Sequence, residues 1–323
     1  MKIPSLSATL TAGCLAAALA QPALAANVKI TALGGQEGEL CPLDRAMIFE
    51  DPNGTRLLYD PGRTVAGAND PRLGKIDVIL VSHMHGDHVG NSHNAAPNSG
   101  ACDKPDMSVS AMPNSNVVNI ALAKNARIVT GSEMPPFFAN KLKAAGGDPK
   151  NSVLARFGAS VKLGGVTIAT VQAIHSNGLD PDFIGGDLGK HMKDAGIAGY
   201  VGEATGYVLK FSNGLVAYLS GDTGITGEQE KVVRGHYAAK LTVMNIGDTF
   251  TTGPTEAAYV INDLVRPNSV ILSHVNEVAT KGGKVLPGTR TETFLKAVKV
   301  PAHVPLSGKT MEFDGGGKCV AGC

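Results

Sequence analysis

An excess of charge of one sign is missing from this chain: 29 lysines and arginines stand against 28 aspartates and glutamates, leaving +1. No run of Lys or Arg disturbs that balance, so nothing supplies the long-range attraction a nucleic acid needs. A nucleic-acid partner is not expected. Beyond residue 25 no apolar run approaches membrane length, so a stable helical membrane span is not expected either. Low-complexity linkers are absent, and so are repeats with a period of roughly 20–50 residues. At 323 residues and 43% hydrophobic, the chain is long enough to bury one large core or two fused halves. Glycine is what it has in abundance, with 40 residues, as suits a protein of many strand–loop joints.

The most informative stretch is Ser82-His83-Met84-His85-Gly86-Asp87-His88-Val89-Gly90-Asn91. It follows the apolar run Ile76-Asp77-Val78-Ile79-Leu80-Val81, which reads as a short buried strand. His83 and His85 alternate at the strand end and so point the same way, while Asp87 and His88 follow once the chain turns. One loop thereby offers four ligand atoms to one small volume. Imidazole nitrogen with carboxylate oxygen suits zinc, and also manganese or iron(II). A metal site is expected here.

Four ligands on one loop rarely close a catalytic site, and three downstream segments look suited to complete it. Thr167–Ile174 is a strand-like run ending at His175, Gly214–Gly221 runs into Asp222, and Ser269–Ser273 runs into His274. Each sets a metal-binding side chain where an apolar strand gives way to a loop. Layered α/β proteins build sites at such places, because the strand fixes the backbone while the loop exposes the side chain.

With these motifs the chain resembles the metallo-β-lactamase superfamily, whose pattern His-x-His-x-Asp-His followed by a distant His, Asp and His is complete here. Asp60, in Leu57-Leu58-Tyr59-Asp60-Pro61-Gly62, matches the family's early aspartate, which buttresses the metal loops and is not itself a ligand. The resemblance covers about residues 27 to 315. It implies an α/β fold: a four-layer αβ/βα sandwich of two mixed sheets face to face, flanked by helices, with metals at one edge. Gly202–Val208, Gly221-Asp222-Thr223-Gly224 and Ile246–Pro254 carry a narrower likeness. They resemble the branch of uncharacterised metal-dependent hydrolases related to the ascorbate-6-phosphate lactonases. Members of that branch usually carry Met where Thr252 stands, and a shorter loop after the first motif.

Chemistry and resemblance together assign His83, His85 and His175 to one ion, and Asp87, His88 and His274 to a second. Asp222 has two oxygens and is expected to bridge both. The expected cofactors are two Zn2+, with Mn2+ or Fe2+ suiting the same donors. Water shared between two dications loses its proton near neutral pH and becomes the nucleophile. Asp222 and Asp87 are the expected catalytic carboxylates, Asp87 lying close enough to the bridge to shuttle a proton. The expected function is an exported binuclear zinc hydrolase that cleaves a small lactone, ester or amide by a metal-bridged hydroxide. Asp222 counts against those zinc β-lactamases that use cysteine at the matching position. One alternative is a phosphodiesterase of the same fold, although its basic phosphate-binding residues are not evident. The other is a non-catalytic, metal-stabilised binding protein, which would need fewer than seven intact ligand positions.

Residues 1–25 are a different object. Lys2 precedes an apolar, alanine-rich stretch from Leu10 to Ala20, and Ala23-Leu24-Ala25 is a small-residue cleavage pattern. A secretory signal removed near Ala25 is expected, leaving residues 26–323 as one hydrolase domain in the periplasm or outside the cell. Ala12-Gly13-Cys14 is lipobox-like, but Thr11 stands where a large aliphatic residue belongs. Export would place Cys41, Cys102, Cys319 and Cys323 in an oxidising compartment, and an even number suggests two disulfides. Three connectivities are open. Cys319 and Cys323 could close a small terminal loop, and Cys41 and Cys102 could pin the loops flanking the metal motif. None of them is placed like a metal ligand.

Helices are expected over Asn116–Asn125, with Asn116 as N-cap, over Glu133–Ala145, and over Thr255–Val265 after Gly253-Pro254. Strands, a metal loop and helices occur before about residue 160 and again after it, a loose doubling. Two long loops, Asn91–Asn116 and Asn177–Gly199, are expected to choose the small-molecule substrate. His93 and His191 within them are candidates for substrate contact. Asp248 and Thr249 are expected to orient His274 or a metal-bound water.

Overall fold

The computed structural model describes Met1 and residues 26–323; the expected signal segment and its cleavage site lie outside the described residues. Two large sheets form the body. The first has the strand order Cys319–Ala321, Thr310–Phe313, Val28–Ala32, Met47–Glu50, Arg56–Tyr59, Val78–Leu80, Arg127–Thr130, Ser152–Leu154. The second runs Ala302–His303, Ser269–Ser273, Leu241–Asn245, Val216–Leu219, Thr205–Lys210, Val166–Gln172, Ser160–Leu163. The doubling read from the sequence is therefore incomplete, because the last two strands return from the second half to the first sheet.

Period-2 alternation explains how both faces of each sheet are buried. Leu57, Tyr59, Val78 and Leu80 point between the sheets, where they meet Ile168, Tyr207, Leu219, Val243 and Ile271. Their neighbours Leu58 and Ile79 point outward against Val117, Ile120, Phe138 and Leu142 of the flanking helices. On the other side Val208, Tyr218 and Leu272 pack under Ala257, Ile261, Val265 and Phe294. Three apolar layers thus separate helices, sheet, sheet and helices, the expected sandwich.

Both sheets are mixed, and their parallel parts set the site. Arg56–Tyr59 runs parallel to Val78–Leu80, and Val216–Leu219, Leu241–Asn245 and Ser269–Ser273 run parallel to one another. Val166–Gln172 is antiparallel to Thr205–Lys210, which is antiparallel to Val216–Leu219, so it shares the direction of the last. Arg56–Tyr59, Val78–Leu80, Val166–Gln172, Val216–Leu219 and Ser269–Ser273 each lead within three residues into Asp60, His83, His175, Asp222 or His274, while Leu241–Asn245 brings Asn245 to the same edge. Tertiary hydrogen bonding completes that convergence: Ser82 O accepts from Thr205 N at 2.8 Å, and Asn177 Oδ1 accepts from Met84 N at 2.9 Å.

Helices occur where expected, with shifted ends. Ser115, not Asn116, caps the Asn116–Lys124 helix, its hydroxyl accepting from Val118 N. Asn116 is instead buried, and its amide donates to the carbonyls of Gly62 and Val65 at 3.1 and 2.8 Å. Pro254 opens a helix that continues through Val260–Val265 and stops at Arg266, whose φ is +52°, before Pro267. The two long loops are less alike than the sequence suggests. Asn91–Asn116 holds a short hairpin pairing Ser92–His93 with Val109–Ser110 and an isolated bridge between Gly100 and Pro105. Between Asn177 and Gly199 lie the helices Pro181–Ile184 and Gly186–Asp194.

Candidate metal centre

The loop after Val78–Leu80 is built on a turn that only glycine permits. Gly62 has φ +55°, and a Cβ there would lie within van der Waals overlap of the Asp87 carbonyl. Gly62 N donates to His88 O at 3.0 Å, locking the Asp60-Pro61-Gly62 turn against the Gly86–Val89 helical turn. Asp60 sits beneath in a left-handed conformation, φ +38°, and is buried. Its Oδ1 accepts from Ser82 N at 2.8 Å, and its Oδ2 accepts from Ser82 Oγ at 2.7 Å and faces His88 Nδ1 at 2.8 Å. Ser82 Oγ also lies 2.9 Å from His83 Nδ1. With both Nδ1 atoms engaged, the Nε2 atoms of His83 and His88 turn inward.

The second sheet supplies His175, Asp222 and His274 from three strand ends. Ile174 N donates to Thr223 Oγ1 at 3.0 Å and Gly224 N to Ile174 O at 3.0 Å, which holds His175 beside Asp222. Asn245, buried at the end of Leu241–Asn245, donates through Nδ2 to Thr223 O and Thr252 Oγ1 at 3.1 and 2.7 Å. The Thr252 hydroxyl donates back to Asn245 O at 3.0 Å. His274 takes φ +50°, and Gly247 leaves room for its ring, since a Cβ there would lie 2.9 Å from Nδ1.

These pieces meet in one cluster. His83, His85 and His175 form one ligand-spaced trio, and Asp87, His88 and His274 form another. Asp222 Oδ2 lies between them, 3.8, 3.4, 3.7 and 2.9 Å from Nε2 of His83, His88, His175 and His274. Nε2 of His83 and His88, Oδ1 of Asp222 and Nδ1 of His274 are buried without a hydrogen-bond partner among the described residues. Such atoms cost about 1–3 kcal/mol each unless something satisfies them. Divalent cations would satisfy the inward-facing atoms, and the donor set of imidazoles and carboxylates fits them.

Protonation agrees with that fit. Burial pushes His83, His85 and His175 below the ordinary imidazole range, His175 to about 4. Burial works the same way on His88, but Asp222, Asp87 and Asp60 outweigh it and hold its pKa up. Burial also opposes charge on Asp222 and Asp87. His88 and His274 outweigh it in both cases and keep the carboxyls ionised. Neutral imidazoles and ionised carboxylates are the metal-binding forms, and an ion at His88 would displace its proton.

A cleft of about 490 Å3 opens onto the cluster, and a neighbouring one of about 580 Å3 runs from His85 to Asp180, Lys193 and Ile197. A larger hollow of about 640 Å3 lies at the opposite strand ends, beside Asn53, Lys75 and Arg127, and touches none of the ligands.

The beta-lactamase superfamily domain matches residues 55–275, a span running from the strand before Asp60 to just past His274. The chain belongs to the metallo-β-lactamase superfamily. Within the superfamily it is similar to a UPF0173 metal-dependent hydrolase of Koribacter versatilis, 27% identical over 72% of this chain and 82% of the relative. It is also similar to one of Polynucleobacter asymbioticus, 28% identical over 76% of this chain and 81% of the relative. In fold it is similar to Igni18, a metallo hydrolase of Ignicoccus hospitalis. The TM-score is 0.58 at 20% identity, covering 89% of this chain and 99% of that one. YhfI of Bacillus subtilis, a metallo-beta-lactamase fold protein, matches with TM-score 0.55 at 13% identity, covering 88% and 99%.

Other residues singled out in the sequence fall outside this metallo-β-lactamase centre. His93 is buried, with Nδ1 2.8 Å from Asn94 O, and lines neither cleft. His191 is exposed on the Gly186–Asp194 helix and also lines neither. Asp248 and Thr249, expected to orient His274 or a metal-bound water, make no hydrogen bond to His274 among the described residues. They are exposed at φ +58° and +59°, and Asp248 Oδ1 accepts from Thr249 N; the backbone of Gly247 is what abuts His274. No residue after Asn91 in the first long loop lines the metal cleft. Gln36 and Glu37 hydrogen-bond to Gly100 and Asn98, and Cys102 pairs with Cys41 at a Cα separation of 5.2 Å. These contacts fold the loop over residues 36–41 instead. Cys319 and Cys323, expected to lie apart from any ligand arrangement, group with His303 and stand beside each other at a Cα separation of 6.4 Å.

Arg45, Arg63, Asn276 and Phe250 line the cleft and were not singled out in the sequence. Arg45 is buried; Nε lies 3.2 Å from Asp87 Oδ2, and Nη2 donates to Asn276 Oδ1 at 2.8 Å. An arginine in a loop carries no periodicity, so only proximity reveals it. Arg63 had one local signal, its place directly after Asp60-Pro61-Gly62.

Proposed function

We propose that this protein, a metal-dependent hydrolase, is exported and binuclear, and that it cleaves a small lactone, ester or amide. The observation that carries the reading is the Asp222 carboxylate standing between two ligand trios. A single ion would use one trio and leave a buried Nε2, that of His83 or that of His88, unsatisfied. His83, His85 and His175 would hold one zinc, Asp87, His88 and His274 the second, with Asp222 shared. Ions bound there supply Lewis acidity toward a carbonyl oxygen and lower the pKa of water.

The chain's own residues do the rest. Asp87 Oδ2 faces Arg45, His88 and His274, whereas Oδ1 has no protein partner among the described residues and is free to accept a proton from water. Burial opposes charge on Asp87, but His88, His274 and Arg45 outweigh it and hold its pKa well below the usual carboxylate range, so it is a weak base. Its service is therefore transient. The disulfides Cys41–Cys102 and Cys319–Cys323 suit the oxidising compartment that export implies. A small molecule, not a nucleic acid, is the partner the two clefts suit, and among the described residues no helix is long and apolar enough to cross a membrane.

Elemental analysis of the mature protein after zinc-supplemented expression should find about two ions per chain. One or none would overturn the binuclear reading. A lactone and ester panel should be turned over in preference to bis-p-nitrophenyl phosphate, and the reverse order would make the protein a phosphodiesterase.

A further inference from the structure

Arg63 is a cation without a partner in the metal cleft, and what it implies rests on the hydrolase reading of that cleft. It lines the wall beside His85 and Asp87. Its Nε donates to Asn91 Oδ1 at 3.0 Å, and its carbonyl accepts from Asn94 N at 2.8 Å. Nη2 stands against Gly86, where an added Cβ would lie 2.8 Å from it. The plane of the guanidinium is thus set, while Nη1 and Nη2 meet no acceptor among the described residues.

Arg45 shows the contrast. Its guanidinium is occupied by Asp87, Asn276 and the carbonyls of Pro42 and Asp44. The two carboxylates that line the cleft, Asp87 and Asp222, already face Arg45 and the imidazoles. Of the two guanidiniums that line the cleft, Arg63 is thus the one whose terminal nitrogens meet no protein acceptor among the described residues. Leu43 and Phe250 line the same cleft, the latter 69% exposed on the turn that holds Asp248 and Thr249 at positive φ.

We propose that Arg63 binds a free carboxylate on the substrate, so that the ester, lactone or amide hydrolysed is one that carries a second, acidic group on an apolar body. Two parallel N–H groups in one plane match the two oxygens of a carboxylate. A phosphate monoester presents three oxygens and more charge, and the only other guanidinium in the cleft is engaged.

The test uses zinc-loaded full-length mature protein, with Arg63→Met and Arg63→Lys beside the wild type. Substrates are p-nitrophenyl acetate, mono-p-nitrophenyl glutarate and the phosphonate analogue of the latter. Arg63→Met should lose about 10- to 100-fold in kcat/KM on the glutarate ester, chiefly through KM, and about threefold or less on the acetate. Arg63→Lys should recover part of that loss. Glutarate binding, followed by calorimetry at equal zinc content, should weaken about tenfold or more in Arg63→Met. Equal losses on acetate and glutarate esters would make Arg63 a scaffold residue and overturn the proposal. Greater dependence of the phosphonate on Arg63 would overturn the choice of carboxylate. If no ester is turned over, the hydrolase reading of the cleft fails by itself; glutarate binding unchanged by Arg63→Met would then sink the Arg63 subsite separately.

Discussion

The first sheet delivers His83, His85, Asp87 and His88 on one continuous loop, whereas the second delivers His175, Asp222 and His274 from three separate strand ends. The loop depends on one strut: Asp60 alone reaches Ser82 N, Ser82 Oγ and His88 Nδ1. The strand ends are tied by a wider mesh through Thr223, Asn245 and Thr252. The difference teaches where each half is vulnerable. Damage to the strut moves two imidazoles together, while damage to the mesh is shared among several bonds.

Asp222 belongs to both halves, so its change should have the largest effect. Asp222→Asn keeps the shape and removes the charge that faces both trios. Turnover should fall by at least about a hundredfold with the fold retained. Near-normal activity at full metal loading would show that the two halves do not share this residue.

Asp60→Ala breaks the first half alone. Ser82 and His88 lose their acceptor in a buried site, so metal affinity should fall about 10- to 100-fold, read by competition with a chelator. An unchanged affinity would mean that the loop holds its ligands without the strut.

Asn245→Ala tests the mesh. Removing its amide leaves the Thr223 carbonyl and the Ser220 and Thr252 hydroxyls with fewer partners. Urea unfolding should show a loss of about 1–3 kcal/mol. Metal affinity should fall less than in Asp60→Ala, and the opposite order would invert the comparison.

The smallest effect on the metal ligands is expected from the two excursions that leave these halves. Replacing residues 95–108 by a short Gly-Ser link, with Cys41→Ser, should leave zinc content unchanged and alter kcat/KM by about threefold or less. Stability should fall by about 2–4 kcal/mol as the cross-link is lost. Removing the Gly186–Asp194 helix should instead raise KM, because the helix contributes Lys193 to the cleft beside His85 and leads into Gly196 and Ile197, which line it too. If the first deletion changes KM more, the assignment of the two excursions must be exchanged.

The sequence by itself carried the candidate ligands and the apolar strands that end beside them. A spacing of two at a strand end forces His83 and His85 to one side, and alternation in Leu57-Leu58-Tyr59 and Val78-Ile79-Leu80 forces each sheet to bury both faces. These are local rules, fixed by backbone geometry over a few residues. The cap of the Asn116–Lys124 helix slipped by one residue because Asn116 found better acceptors in Gly62 and Val65, more than 50 residues away in sequence. Arg45, Asn276 and Arg63 enter the cleft for the same kind of reason, since loops from distant parts of the chain meet there without any periodic signal. Composition made both long excursions look like substrate loops, but contacts with Gln36, Glu37 and Cys41 drew the first away, while two helices set the second beside His85. Only the tertiary structure decided this, because where a loop lies depends on partners whose positions its own residues do not encode.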